Sequence, residues 1–287
     1  MKLMMCMLSL VLYMYACQVD DVPVVVQDPD LPALNLSNVS YGAQPRHVMD
    51  VYLPANRLSA ATPVVVLIHG GSWTAGDKAD MAGFVPYFQE NFPEYAVVNM
   101  NYVLATNTSP ALPNQVNDVE AVLNYIDEQA AEWQVQPSYV LLGVSAGAHL
   151  AMHYSYSRQP NNVAAVVNFV GPNDFLDPNF QNNPLFQYML GALVDPGAIP
   201  AGMNSASYAS PVSYVDAASP PTLAFYGTLD NLVPYSQKQR LETAFEPYPG
   251  KLSSHGFVGG HTGFLSPQNL SQITTQMHTF MQQITHD

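Results

Sequence analysis

The sequence predicts an α/β protein built on a mostly parallel central sheet with helices on both faces. Three observations carry that expectation. Short apolar runs alternate with helical patterns along the chain. Several of those runs are apolar at consecutive positions, as strands buried on both faces are. At 287 residues and 48% hydrophobic composition, the chain is large enough to bury a sizeable core. In order, strands are expected at Val48 to Leu53, Thr62 to His69, Tyr95 to Asn101, Tyr139 to Val144, Val163 to Val170, Thr222 to Gly227 and Lys251 to Phe257. Between Leu112 and Trp133, Val116, Val119, Leu123 and Ile126 recur at helical spacing and define an amphipathic helix. Further helices are expected over Ser145 to Ser157 and Leu265 to Ile284. Phe175 to Ala209 has no strand signal and several prolines, and reads as an irregular insertion that walls the site. In such a sheet, chemistry belongs at the carboxyl ends of the strands.

Eight Lys and Arg stand against 22 Asp and Glu, a formal charge of −14. That field repels phosphate backbones and anionic headgroups, so no nucleic-acid partner is expected. The only cysteines are Cys6 and Cys17, which leaves the body of the chain without a disulfide, a thiol nucleophile or a Cys-ligated zinc. Met1-Lys2 followed by the 14-residue apolar run Leu3 to Ala16 has the layout of a secretory signal peptide and is too short to span a membrane. Ala16-Cys17 at its end resembles the lipobox of bacterial lipoproteins, which implies lipidation of Cys17; plain secretion and an uncleaved anchor are the other outcomes. The expected organisation is a signal peptide over 1–16, an acidic tether over 17–33 and one domain over 34–287, exported and touching a membrane only through its lipid.

Gly143-Val144-Ser145-Ala146-Gly147 follows a strand and precedes a helix. Small residues beside the serine permit the strained turn that lifts its hydroxyl into a pocket, the nucleophile elbow. Upstream, His69-Gly70-Gly71-Ser72-Trp73 follows VVVLI, where successive backbone N–H groups can converge on a developing oxyanion. The Ala146 N–H would supply the second arm of that hole. Trp73 either lines the acyl pocket as a substrate-binding residue or caps the sheet. A serine nucleophile needs a base, and the base an orienting acid. Asp230 stands in a loop after one strand and His261 in a Gly-rich loop after the last, 85 and 31 residues further along in turn. The order Ser145, Asp230, His261 is that of the α/β-hydrolase fold.

Taken together, HVMDVYLP, VVVLIHGGSWTAGDK, LPNQVNDVEAVLNYI, LLGVSAGAHLA, SPPTLAFYGTLDNLVP and GGHTGF resemble, nearly end to end from Tyr41, the carboxylesterase and feruloyl/acetyl-xylan-esterase-like (BD-FAE-like) branch of the α/β hydrolases, kin to hormone-sensitive-lipase-type esterases. The resemblance implies Ser145 as nucleophile, Asp230 as orienting acid and His261 as general base. Gly71, Ser72 and Ala146 would form the oxyanion hole. Ser72 replaces the third glycine of the hormone-sensitive-lipase group, and the segment before His47 is too short for that group's helical cap. Both departures point to the feruloyl/acetyl branch, without a large cap domain.

Competing residues are Asp174 as the acid and His255 as the base. His149 and His153 lie four apart on one helix, a spacing that can bind zinc, but lack a third ligand; packed helix histidines are the simpler reading. His69 reads as a hydrogen-bonding scaffold for the oxyanion loop. The expected activity is serine carboxylesterase action on short-acyl or aromatic-acyl esters, small or polysaccharide-borne, needing no metal or organic cofactor. The alternatives are arylformamidase-type amide hydrolysis and, from another class, a non-catalytic glycan-binding lipoprotein.

Overall fold

The computed structural model of the protein describes residues 31–284. The signal peptide, the lipidation site Cys17 and the tether up to residue 30 lie outside the described residues. Eight strands form one sheet in the order β1-β2-β4-β3-β5-β6-β7-β8. They span Leu34–Ser40 (β1), Val48–Leu53 (β2), Val64–Ile68 (β3), Ala96–Met100 (β4), Tyr139–Val144 (β5), Val163–Phe169 (β6), Thr222–Gly227 (β7) and Leu252–Phe257 (β8). β1 and β2 pair antiparallel, β2 meets β4 antiparallel, and every pairing from β4 through β8 is parallel.

The helices are α1 (Phe84–Asn91), α2 (Asn114–Trp133), α3 (Ala146–Arg158), α4 (Pro178–Gln181), α5 (Pro184–Leu193), α6 (Ser205–Ala209), α7 (Ser236–Phe245) and α8 (Pro267–Ile284). Alternate side chains of the strands divide the core between two faces. Val64, Val66 and Ile68 pack with Val119 and Leu123 of α2, Leu150 of α3 and Leu241 of α7. Val65 and Leu67 pack on the other side with Phe88 of α1 and Met277 and Phe280 of α8. The fold is therefore the α/β-hydrolase arrangement expected, with helices on both faces.

Parallel register sets the site. Ile68 pairs with Gly143, Val144 with Phe169, and Gly227 with Phe257, so β3, β5, β7 and β8 release their next residues along one edge. The expected strands and the helices α2, α3 and α8 are present with ends shifted by a residue or two. β1 was not anticipated, for a physical reason: it is an edge strand with mostly exposed side chains, and a register break between Leu36 and Val39 erases alternation. Asn38 takes φ 55° at that break. The insertion after β6 is less irregular than its sequence suggests, since it folds into the short helices α4, α5 and α6.

Candidate active site

The turn from β5 into α3 holds Ser145 at φ 55°, ψ −119°, a conformation that side chains with Cβ rarely adopt. Its flanking glycines are required by contact. A Cβ on Gly143 would come within 2.3 Å of the Ala148 nitrogen, and one on Gly147 within 2.1 Å of the Ile68 carbonyl oxygen. The Ser145 N–H donates to the Phe169 carbonyl at 2.8 Å, which ties the elbow to β6.

His261 follows β8, and its Nε2 lies 2.9 Å from Ser145 Oγ. Its Nδ1 lies 2.7 Å from Asp230 Oδ2. A carboxylate accepts, so Nδ1 carries the proton and Nε2 faces the serine hydroxyl as acceptor. Asp230 Oδ1 accepts from the Leu232 and Val233 N–H groups at 2.8 and 2.9 Å. Burial opposes charge on Asp230, but the His261 hydrogen bond and those two N–H groups outweigh it and hold the carboxyl below its ordinary value. The loops carrying Asp230 and His261 are joined where Leu229 N–H donates to the Gly259 carbonyl at 2.9 Å. Gly227 admits that approach, because a Cβ there would stand 2.6 Å from the same oxygen.

The loop after β3 curls back at Gly71, whose carbonyl accepts from Thr74 and Ala75. Among the described residues, no acceptor takes the N–H groups of Gly71 or Ser72. Ala146 opens α3, where the first N–H groups lack intrahelical partners. Gly71, Ser72 and Ser145 line one cavity of about 490 Å³, whose walls include Phe84, Phe180, Phe186, Met189 and Leu265. Trp73 lines it as well and is buried, its indole N–H donating to His149 Nδ1 at 3.1 Å. Its side chain is thus at once a wall of the cavity and a buried member of the core.

The competing residues lie elsewhere. Asp174 accepts from the Leu176 N–H and pairs with Arg240 at 3.5 Å. His255 sits within β8, bonded to Ser253 at 2.8 Å. His149 and His153 donate from Nε2 to the carbonyls of Ala209 and Tyr208, both at 2.8 Å, and so fasten the insertion to α3. Among the described residues, no group of three or more His, Cys, Asp or Glu side chains converges as a metal site. Burial pushes His149 down to about 3 and His153 to about 4, so both stay neutral.

A family profile described as BD-FAE matches residues 49–245, which carry β2 through α7. The chain belongs to the BD-FAE family. This BD-FAE chain is 27% identical over 215 residues to the Mycobacterium tuberculosis protein named "Probable carboxylic ester hydrolase LipM", covering 70% of the chain and 49% of LipM. It spans about half the length of the first two curated relatives it matches. Among solved structures it resembles a truncated carbohydrate esterase from gut microbiota at 23% identity and TM-score 0.71, over 90% of this chain and 99% of that one. Esterase B from Lactobacillus rhamnosis aligns at 21% identity and TM-score 0.71, over 89% and 88%. Both likenesses are of fold.

Sequence reading missed one charged member of the cavity wall, Asp80, eight residues beyond Ser72. The signal for it was faint: Asp77 and Asp80 form a capping box around a single 3-10 turn, which folds Asp80 back toward the loop. The aromatic wall of Phe180 and Phe186 was equally hidden, because neither belongs to a motif.

Proposed function

We propose that this BD-FAE chain is a serine carboxylesterase acting on short-acyl or aromatic-acyl esters, including acetyl or feruloyl groups carried on polysaccharides. One observation carries the reading: the unbroken line from Asp230 through His261 to Ser145, with contacts of 2.7 and 2.9 Å, beside unused N–H groups at the head of an apolar cavity. His261 Nε2 takes the Ser145 proton as Oγ attacks the ester carbonyl, and Asp230 steadies the imidazolium through Nδ1. The oxyanion rests on the N–H groups of Gly71, Ser72 and Ala146, which need no reorganisation as charge develops. His261 returns the proton to the leaving alcohol, and an acyl-enzyme on Ser145 remains. Water, deprotonated by the same imidazole, then releases the acid. The name carried by LipM and the family membership support ester hydrolysis as the reaction class, and the aromatic walls of the cavity support an aromatic or short apolar acyl group. The sequence of the first 17 residues supports export with a lipid on Cys17; palmitate labelling that persists in Cys17→Ala would remove that part of the reading.

The test is hydrolysis of p-nitrophenyl acetate, butyrate and decanoate by the full chain beside Ser145→Ala. Loss of turnover in the variant, with the wild type fastest on the shorter chains, is expected. Equal rates in both proteins overturn the assignment.

A further inference from the structure

We propose that Arg46, in the turn between β1 and β2, is a positioning residue that fixes the tautomer of His69 and through it aims the Gly71 N–H at the oxyanion. The inference rests on the reading of Ser145 as nucleophile and adds a residue that the motifs do not contain. Arg46 donates from Nε to the Tyr102 carbonyl at 2.9 Å. Its terminal nitrogen reaches the Gly76 carbonyl at 2.9 Å, Asn101 Oδ1 at 3.1 Å and His69 Nε2 at 3.3 Å. Asp77 lies 3.6 Å from the other terminal nitrogen.

A guanidinium carries donors and no acceptor. Facing it, His69 Nε2 must be unprotonated, and the ring proton stands on Nδ1. Nδ1 donates to the Gly70 carbonyl, with 2.6 Å between the nitrogen and the oxygen. The ring itself is fully buried and stacked on Tyr102, with centroids 4.2 Å apart and planes 12° off parallel. The Tyr102 hydroxyl donates to the His69 carbonyl at 3.0 Å, with the Gly70 carbonyl 3.3 Å away. The Gly70 oxygen is thus pinned from the His69 side.

The consequence follows from peptide planarity. Across a trans peptide, the Gly70 C=O and the Gly71 N–H point in opposite directions. Holding the oxygen against His69 turns the N–H away from it, and Gly71 lines the cavity that contains Ser145. Gly70 itself abuts the elbow, since a Cβ there would lie 3.3 Å from that of Ser145. Gly76 closes the loop at φ 95°, and its missing Cβ leaves room for the Gly70 oxygen, 2.4 Å from where that atom would stand. With Nε2 protonated instead, His69 would present a donor to a donor, and the Gly70 carbonyl would lose its partner.

The test has a spectroscopic arm and a kinetic arm, both on the full chain. Nitrogen-15 histidine spectra of the wild type are expected to show His69 protonated at Nδ1; protonation at Nε2 overturns the proposal and needs no variant. Kinetics on p-nitrophenyl butyrate then compare Arg46→Met and Arg46→Gln with the wild type. The expected result is a turnover rate lower by about 10- to 100-fold with KM within about twofold, because an oxyanion donor acts in the transition state. A butyl trifluoromethyl ketone, whose adduct with Ser145 carries the oxyanion, should weaken in step with kcat, while butyrate binds as before. Unchanged kcat and ketone affinity in folded variants overturn the proposal, as does equal weakening of ketone and butyrate, which marks a general loosening. If neither variant folds, the wild-type spectrum decides. Full activity in Ser145→Ala would instead defeat the nucleophile assignment, whatever Arg46 does.

Discussion

The indole N–H of Trp73 donates to Nδ1 of His149 at 3.1 Å, and the opposite nitrogen of that imidazole donates to the Ala209 carbonyl at 2.8 Å. One neutral histidine on α3 therefore joins the oxyanion loop to the insertion that walls the cavity. His153, one turn along, repeats the second half of the arrangement through Tyr208.

Acid should loosen this joint. Both histidines have folded values well below the ordinary 6.5, about 3 and about 4. Between those values and 6.5 the unfolded chain binds the protons and the folded chain does not, so stability is complete above 6.5 and declines as pH falls toward 4. Each histidine contributes a slope of up to about 1.4 kcal/mol per pH unit in that window. Urea unfolding at pH 7, 6, 5 and 4.5 reads it directly, and a midpoint independent of pH would defeat the expectation.

Gly147→Ala should disable the elbow. The added methyl meets the Ile68 carbonyl oxygen, a backbone atom of β3 that has nowhere to go. Overpacking of this kind costs about 1–3 kcal/mol, and here the strain falls between the nucleophile and the sheet. A melting temperature lower by several degrees is expected, with turnover slowed by about 100-fold as the serine hydroxyl is displaced from its attacking position. A variant with wild-type melting and turnover would refute the account.

Asp230→Asn should slow turnover by a factor on the order of 10³–10⁴, since the amide can favour the wrong imidazole tautomer while preserving shape. Because His261 and the Leu232 and Val233 N–H groups hold the carboxyl below its ordinary value, Asp230 is ionised throughout pH 5 to 8. Replacement should therefore depress the rate across the whole range from pH 5 to 8. Steady-state rates over that range check it, and a wild-type rate anywhere within it would defeat the expectation.

Asp80 should discriminate by charge. It lines the cavity that contains Ser145, where the described lining residues include no Lys or Arg. For p-nitrophenyl hemisuccinate against the butyrate ester, Asp80→Asn is expected to raise the ratio of kcat/KM several-fold at low ionic strength, and less at 0.5 M salt, where the screening length falls to about 4 Å. An unaltered ratio would show that the carboxylate does not reach the substrate.

The sheet and the position of the chemistry were legible because both depend on local signals. Apolar runs such as Val64–Ile68 are buried throughout, and the glycines around Ser145 leave a strong sequence mark because their absence of side chain is a steric necessity. The juxtaposition of Ser145, Asp230 and His261 followed from chain order and strand ends. What stayed hidden depends on contacts between distant segments. Arg46 and His69 are 23 residues apart and meet only because the β1–β2 turn folds over the end of β3. α7 exposes a polar sequence, SQKQRLETAF, and buries only Gln237, Leu241 and Phe245, too few to announce a helix. The aromatic stack of Phe180 on Phe186, 4.2 Å between centroids, is made by α4 and α5 after they fold against each other.

The anchoring of the insertion separates the shape of the cavity from the placement of Ser145, Asp230 and His261. Ser145, Asp230 and His261 hang from strand ends, whereas Phe180, Phe186 and Met189 belong to the excursion between β6 and β7, moored to α3 through main-chain carbonyls. Main-chain acceptors are indifferent to the side chains that accompany them. Substitutions at Phe180, Phe186 and Met189 can thus reshape the cavity wall while the two carbonyl moorings to α3 stay in place.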